Sequence, residues 1–278
     1  MPVKAPPAVP VAPVVVNNWT GFYAGANIGY SWGTAKGNVD DPSLADLHAE
    51  IQSPYILPSG GRPALTNLPT SFSESLKPKG LIAGGQIGYN YQINPTWVVG
   101  LEGDLQWSGE KASRNQSASS SGSCDIEGVC RYSESAIVDT SLEAKILWFG
   151  TVRARAGILL TPTVLLYGTG GLAYGGVRLT GNVTADDTLI CHHGICYGQT
   201  ASKTSFAGLS ESKTKAGWTL GGGVEGALAG NWTWKAEYLY VDLGSVNGSV
   251  SDSSGGTVTW NARFTDNIVR VGLNYRFN

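Results

Sequence analysis

"NWTGFYAGANIGYSWG", residues Asn18–Gly33, alternates large apolar side chains with small or polar ones. Even positions carry Phe22, Ala24, Ala26, Ile28, Tyr30 and Trp32, whereas odd positions carry Tyr23, Gly25, Asn27, Gly29 and Ser31. A period of two marks a strand, because successive side chains of an extended backbone point to opposite faces. Two surfaces suit such a strand. In a water-soluble sandwich the apolar face meets a second sheet across a dry core; in an outer-membrane barrel it meets lipid while the polar face lines a small lumen.

Seven further segments repeat the pattern: Leu81–Gln92, Trp97–Ser108, Leu142–Leu159, Val164–Val177, Ala216–Leu228, Trp232–Leu243 and Asn267–Phe277. Three connections between them are short and rich in turn formers, at Asn94-Pro95, Thr161-Pro162 and Gly230-Asn231. The other four, roughly Thr34–Lys79, Gly109–Thr140, Arg178–Thr214 and Gly244–Thr265, are long and rich in serine, glycine and asparagine. Strict alternation of short turns and long loops predicts an all-β fold, an eight-stranded antiparallel up-and-down transmembrane barrel with four long extracellular loops and three short periplasmic turns. Both termini are then expected on the periplasmic side. The aromatics agree: Trp97, Trp232, Trp234, Tyr89, Tyr91, Tyr275 and Phe277 fall beside the short turns, and Trp32, Trp107, Trp148 and Trp218 beside the long loops. Two such girdles belong at two lipid–water interfaces, and a soluble sandwich has little reason to place them so.

Composition sets the bounds. The chain has 278 residues with 38 glycines, 9 tryptophans, 12 tyrosines and one methionine. Glycine at this level suits a narrow barrel whose interior lacks room for a side chain at every inward position. With 19 basic and 21 acidic residues, the charge carries no footprint for nucleic acid. No apolar run is long enough for a transmembrane helix, which says nothing against a barrel. The opening "MPVKAPPAVPVAPVVV" lacks a signal segment, so a mature form is expected, with residues 1–18 a proline-rich periplasmic lead-in and 19–278 the barrel.

Four stretches carry a resemblance: the "NWTGFYAGANIGYSWG" opening after its proline-rich lead, "LLYGTGGLAYG", "KAEYLYVDLG" and the terminal "VRVGLNYRF". In these the chain from Trp19 to Phe277 resembles the small outer-membrane barrels of alphaproteobacteria, which include immunogenic surface antigens and haemin-binding proteins. The resemblance implies a Gram-negative outer-membrane location and a role in envelope integrity, surface antigenicity or ligand capture. It implies as partners outer-membrane lipid, lipopolysaccharide and the barrel-assembly machinery. Such proteins end on the aromatic that this machinery reads; here Phe277 is that residue, although Asn278 follows it.

The chemistry-bearing residues fall into three sets. On the inward parity Glu102, Asp104, Glu143, Glu225 and Glu237 oppose Lys145, Arg153, Arg155, Lys235, Arg270 and Arg276. In a lumen of restricted water these form either an ion pathway or a plug of salt bridges, and eight strands leave an interior just wide enough for side chains, which favours the plug. Glu225 and Lys235 stand equidistant from Gly230 and are expected to pair across the turn. The glycine clusters Gly168–Gly171 and Gly221–Gly223 lack the Lys-Ser/Thr ending of a phosphate loop and read as strand residues. Catalysis has little support, since His48, His192 and His193 all fall in long loops, so no enzyme is expected. A small-solute porin is the rival reading.

The third set is in the outer loops. "CHHGIC", residues 191–196, offers two sulfurs and two imidazoles, and His192 and His193 are the candidate axial ligands for haem, the one cofactor considered. Metal binding lacks the usual finger spacing, and at an oxidising surface disulfides are favoured. Closing a short loop costs less chain entropy than joining distant ones. Peptide mapping of the unreduced protein is therefore expected to show Cys124–Cys130 and Cys191–Cys196, each contributing about 2 kcal/mol, mostly to loop order; a link from Cys124 to Cys191 or Cys196 would refute this pairing.

Overall fold

A computed structural model describes residues 18–40, 71–126, 130–191, 200–251 and 256–277. It contains β1 (Gly21–Asp40), β2 (Ser71–Leu76), β3 (Lys79–Gln92), β4 (Trp97–Ile126), β5 (Cys130–Thr161), β6 (Val164–Cys191), β7 (Thr200–Ala227), β8 (Trp232–Ser251) and β9 (Thr257–Phe277). All pairings are antiparallel between neighbours, and β1 pairs with β9 to close the ring. Nine strands therefore replace the eight expected. The additional one is β2, which pairs with Ala35–Asp40 of β1 on the side where β3 pairs with Gly21–Trp32. Lys77-Pro78 separates the two, because proline has no N–H for the ladder, and the Pro78 carbonyl instead accepts a 2.7 Å hydrogen bond from Gly33 N–H.

The long connections were expected to be loops, and the described residues show otherwise. β4 to β9 run on through most of these regions as paired ribbons. β5 alone spans 32 residues, far more than a membrane requires. Beyond Lys111, β4 pairs only with β5 among the described residues, and before Trp218, β7 pairs only with β6. The ring thus opens, at the end away from the short turns, into two facing sheets: β4–β5–β6–β7 and β8–β9–β1–β2. Their inner faces share one apolar core, with Ala136, Val138, Leu142 and Val183 on one side and Val39, Trp260, Ala262 and Phe264 on the other.

The chain is consequently inside-out at one end and conventional at the other. Between the aromatic rows Phe22, Ile87, Leu101, Leu172 and Val271 lie on the outer surface, more than half exposed, while charged residues fill the interior. In the paired ribbons most inward side chains are apolar, with Glu134, Thr140 and Asp187 also buried, and Thr257, Thr259, Asn261 and Arg263 face outward. Only a lipid belt accounts for the first arrangement, and only water for the second.

Register explains how one strand serves both. In β5 the even positions are apolar along most of its length, yet Val152, Ala154 and Ala156 face outward while Ala136, Val138 and Ala144 face inward. An irregularity between Ile146 and Trp148 shifts the register by one residue, which swaps the two faces. β9 pairs with β1 without interruption and changes its composition instead. Its inward residues pass from Arg276, Asn274 and Arg270 to Phe264, Ala262, Trp260 and Val258.

The turns at the other end are as expected. The Asn94 side chain accepts hydrogen bonds from the Thr96 and Trp97 N–H groups at 2.8 Å, an Asx turn. Phe264 tests the ribbon core. Phe264→Ala is expected to remove about 3–5 kcal/mol from its packing, so limited proteolysis should cut the ribbon hairpins while the barrel keeps its heat-modifiable migration on gels; an unchanged cleavage pattern would contradict the packed core.

Candidate functional site

The inward residues of β4, β5, β7, β8 and β9 converge in the middle of the barrel. Carboxylates Glu102, Asp104, Glu225 and Glu237 meet cations Arg153, Arg155, Lys235 and Arg270, all buried. Arg153 is the hub. It donates to Glu102, to Asp104 Oδ2 at 2.9 Å and to Glu237 Oε1 at 3.0 Å. Arg270 donates to Glu237 Oε2 at 2.8 Å and to Asp104 Oδ2 at 2.9 Å, so these two carboxylates each bridge two guanidiniums. Lys235 Nζ straddles the Glu102 carboxylate at 2.8 and 3.0 Å. Arg155 reaches Glu225 Oε2 at 2.7 Å.

Neutral side chains complete the network. Tyr23 donates to Glu102 Oε2 at 2.7 Å and accepts from Arg155 at 3.0 Å. Tyr167 donates to Glu237 Oε1 at 3.0 Å, and the Arg155 guanidinium lies 4.0 Å from its ring centroid. Thr151 donates to Asp104 and Thr233 to Glu225. Both tyrosines lie across glycines: a Cβ at Gly88 would come within 2.3 Å of Tyr23 Oη, and one at Gly223 within 2.7 Å of Tyr167 Oη. Missing side chains on the inner wall are thus the space that the phenols occupy.

Toward the short turns a second closure lies in the mouth. Trp19 is buried there against Val98, Leu165 and Tyr167, and its indole N–H donates to the Pro162 carbonyl at 3.2 Å. The Arg276 guanidinium stands 5.2 Å from the Trp19 ring centroid and donates to the Asn18 carbonyl at 3.0 Å.

Two expectations need correction. Glu143 and Lys145 are not in the lumen. They form a half-exposed 2.6 Å ion pair on the outer face of the β5 ribbon, because the register shift near Leu147 carries their parity outward. Glu225 and Lys235 are register partners, as the turn geometry implied, yet their charged groups bond elsewhere, to Arg155 and Glu102. Gly168–Gly171 and Gly221–Gly223 lie within β6 and β7. The aromatics form two outward rows. Trp107 stands opposite Trp148 at one level, and Trp232 packs on Tyr275 with centroids 5.2 Å apart at the other. Trp32, Trp97, Trp218, Trp234, Tyr89, Tyr91 and Phe277 are exposed in these rows. Phe277 pairs with Phe22.

His48, His192, His193 and Cys196 lie outside the described residues, as do the side chains of Cys124, Cys130 and Cys191. Residues 1–17 of the proline-rich lead-in and Asn278 also lie outside them. Among the described residues no group of three or more His, Cys, Asp or Glu side chains is placed to hold a metal.

A lipid-facing apolar belt around a charged lumen is the signature of a membrane barrel, and the sequence comparison names the kind. Residues 5–277 match the family model of the outer membrane protein beta-barrel domain. The chain belongs to the outer-membrane β-barrel family. It is 36% identical over 275 residues to the 31 kDa outer-membrane immunogenic protein of Brucella melitensis, covering 99% of this chain and 90% of that protein. The 25 kDa outer-membrane immunogenic protein of Brucella abortus is 29% identical over 276 residues, with 99% of this chain and 85% of that protein covered. The 22 kDa outer membrane protein of Rhizobium leguminosarum is 31% identical over 196 residues, covering 70% and 66%. Among solved structures, Ail of Yersinia pestis covers 92% of this chain and 99% of its own at 16% identity, with a TM-score of 0.33, too low to bear on function. The outer-membrane location of this barrel family member follows from these matches.

The network makes a stability prediction. Replacing Glu225 by Gln leaves the Arg155 guanidinium without its nearest carboxylate in a site closed to water. A cost of about 1–3 kcal/mol is expected for such a buried loss, read as a lower melting temperature of the detergent-folded protein. An unchanged melting temperature would mean that the network does not support the fold.

Proposed function

We propose that this is a non-enzymatic envelope protein: a closed membrane anchor that presents a long, rigid external surface for interaction with the surroundings or for immune recognition. On this reading the short turns and both termini face the periplasm, and the ribbons stand outside. The barrel wall contacts lipid and lipopolysaccharide, and Phe277 is the residue offered to the barrel-assembly machinery. The observation that carries the reading is the interlocked set of four carboxylates and four cations with Trp19 below it, which leaves the lumen filled with mutually bonded side chains. A charge lining an open pathway would be solvated rather than shared among partners from five strands.

The naming of the Brucella relatives as immunogenic supports the external role. Haem capture at His192 and His193, in the segment of sequence between β6 and β7, is proposed from the sequence. The decisive experiment is single-channel recording in planar bilayers. The folded protein is expected to show no stepwise conductance, and stable open channels of uniform size would establish the porin reading in its place.

A further inference from the structure

Beyond the aromatic row at the ribbon end, the strand register sets four cations side by side. Lys79 on β3 pairs with Lys111 on β4, Lys111 with Lys145 on β5, and Lys145 with Arg178 on β6. Register partners point to the same face of a sheet, and here it is the outer one: Lys79, Lys111 and Arg178 are exposed and Lys145 is half-buried. The next partner in the same line is Trp32 on β1, opposite Lys79, which ties the row to the girdle. Lys145 stands three residues from Trp148 and Lys111 four from Trp107, about 10–13 Å along a strand. For strands tilted by about 40° this is about 8–10 Å along the membrane normal. The headgroup layer lies at that depth outside the hydrocarbon.

We propose that Lys79, Lys111, Lys145 and Arg178 bind the phosphate groups of lipopolysaccharide in the surrounding leaflet, an inference that rests on the ribbons standing outside the cell. Like charges directly opposite one another destabilise a sheet, so a run of them across four strands calls for anions beside it. Glu143 supplies one, 2.6 Å from Lys145 Nζ. Lys79, Lys111 and Arg178 have no carboxylate partner among the described residues. The opposite rim serves as a control. Residues 90–97, 157–167 and 226–234, which carry the short turns, contain no charged residue. Arg276, at the nearby end of β9, is buried against Trp19 and the Asn18 carbonyl. Both rims thus carry aromatics, and only one carries this row. A lipid–water boundary alone would dress the two rims alike, whereas an anionic leaflet on one side accounts for the difference.

The length of the row selects the ligand. Neighbouring strands are about 4.8 Å apart, so four partners span about 14 Å. One phosphate is too small to meet all four. Lipid A, the membrane end of lipopolysaccharide, has a phosphate at each end of a disaccharide and can engage both ends of the row at once. Arg178 offers a bidentate fork to one phosphate, and the lysines offer mobile point charges to either.

The test is to titrate the detergent-folded full chain with lipid A carrying both phosphates, with the same lipid A stripped of its phosphates, and with inorganic phosphate, following bound ligand by native mass spectrometry. Bisphosphorylated lipid A is expected to bind, and more weakly as salt is raised. Loss of one cation should cost about fivefold in affinity, so the double variant Lys111→Gln with Arg178→Gln is expected to bind roughly 25-fold more weakly. Its lipid-free melting temperature should stay at or above that of the wild type, because these side chains are exposed and repel one another. Lys111→Arg, which keeps the charge, should bind as the wild type does. Equal binding of the stripped lipid would assign the contact to acyl chains and overturn the proposal. An unchanged affinity in the double variant would do the same, and so would inorganic phosphate binding as tightly as lipid A. Protease digestion of intact cells reads the orientation separately. Ribbons cut from outside, together with a lipid affinity indifferent to phosphate, would strike the row alone; ribbons protected from outside would overturn the orientation and with it the choice of lipopolysaccharide.

Discussion

A strand that crosses hydrocarbon and continues into water must reverse which of its faces is apolar, and every unusual feature of this fold follows from that requirement. Side chains alternate with a period of two whatever the solvent, so the reversal needs either a change of register or a change of composition. β5 uses the first. Its apolar even positions meet lipid at Val152 and Ala154, then turn inward at Ala144 and Val138 once the irregularity near Leu147 is passed. β9 uses the second and keeps an unbroken register with β1. Both routes end at the same level, just beyond the outer aromatic row, and that level is where the closed ring gives way to two facing sheets.

Inside the membrane the same requirement creates a different difficulty. An outward apolar face leaves an inward polar one, and a narrow lumen has little water to solvate it. Charges there persist only when each is bonded by the others. Arg153 and Arg270 meet this by sharing the carboxylates of Asp104 and Glu237, and Tyr23 and Tyr167 add hydrogen bonds to Glu102 and Glu237. Such a lattice resists the removal of any member, which suits an anchor better than a conduit.

The sequence made the membrane half legible, because alternation, turn residues and aromatic placement all report on the same lipid boundary. Most of the lumen charges were readable from parity alone. Trp19 and Tyr23 stand on that inward parity too, and their roles were missed because only charged side chains were read as lumen residues. Glu143 and Lys145 were misplaced for a sharper reason: nothing in "LEAKILWFGTVRARAGIL" marks the register shift, since the alternation of residue types continues across it. The ribbons were missed because serine, glycine and asparagine are loop formers in isolation. Here, polar residues such as Ser117, Asp139 and Ser141 form outer faces of strands whose inner faces are apolar.

The ribbons also change what the end away from the short turns can do. A loop of thirty-odd flexible residues would collapse onto the membrane surface or sample many shapes, and an ordered ligand would have to offset that entropy on binding. A paired strand holds its tip at a fixed distance instead. β5 extends 18 residues from Trp148 at the aromatic row to Cys130; at about 3.3 Å per residue this places its tip roughly 50–60 Å along the strand from the lipid boundary. The apolar core between the sheets resists bending over this length, as a hairpin alone would not. The tips are therefore held clear of the lipid belt on paired strands that share one apolar core.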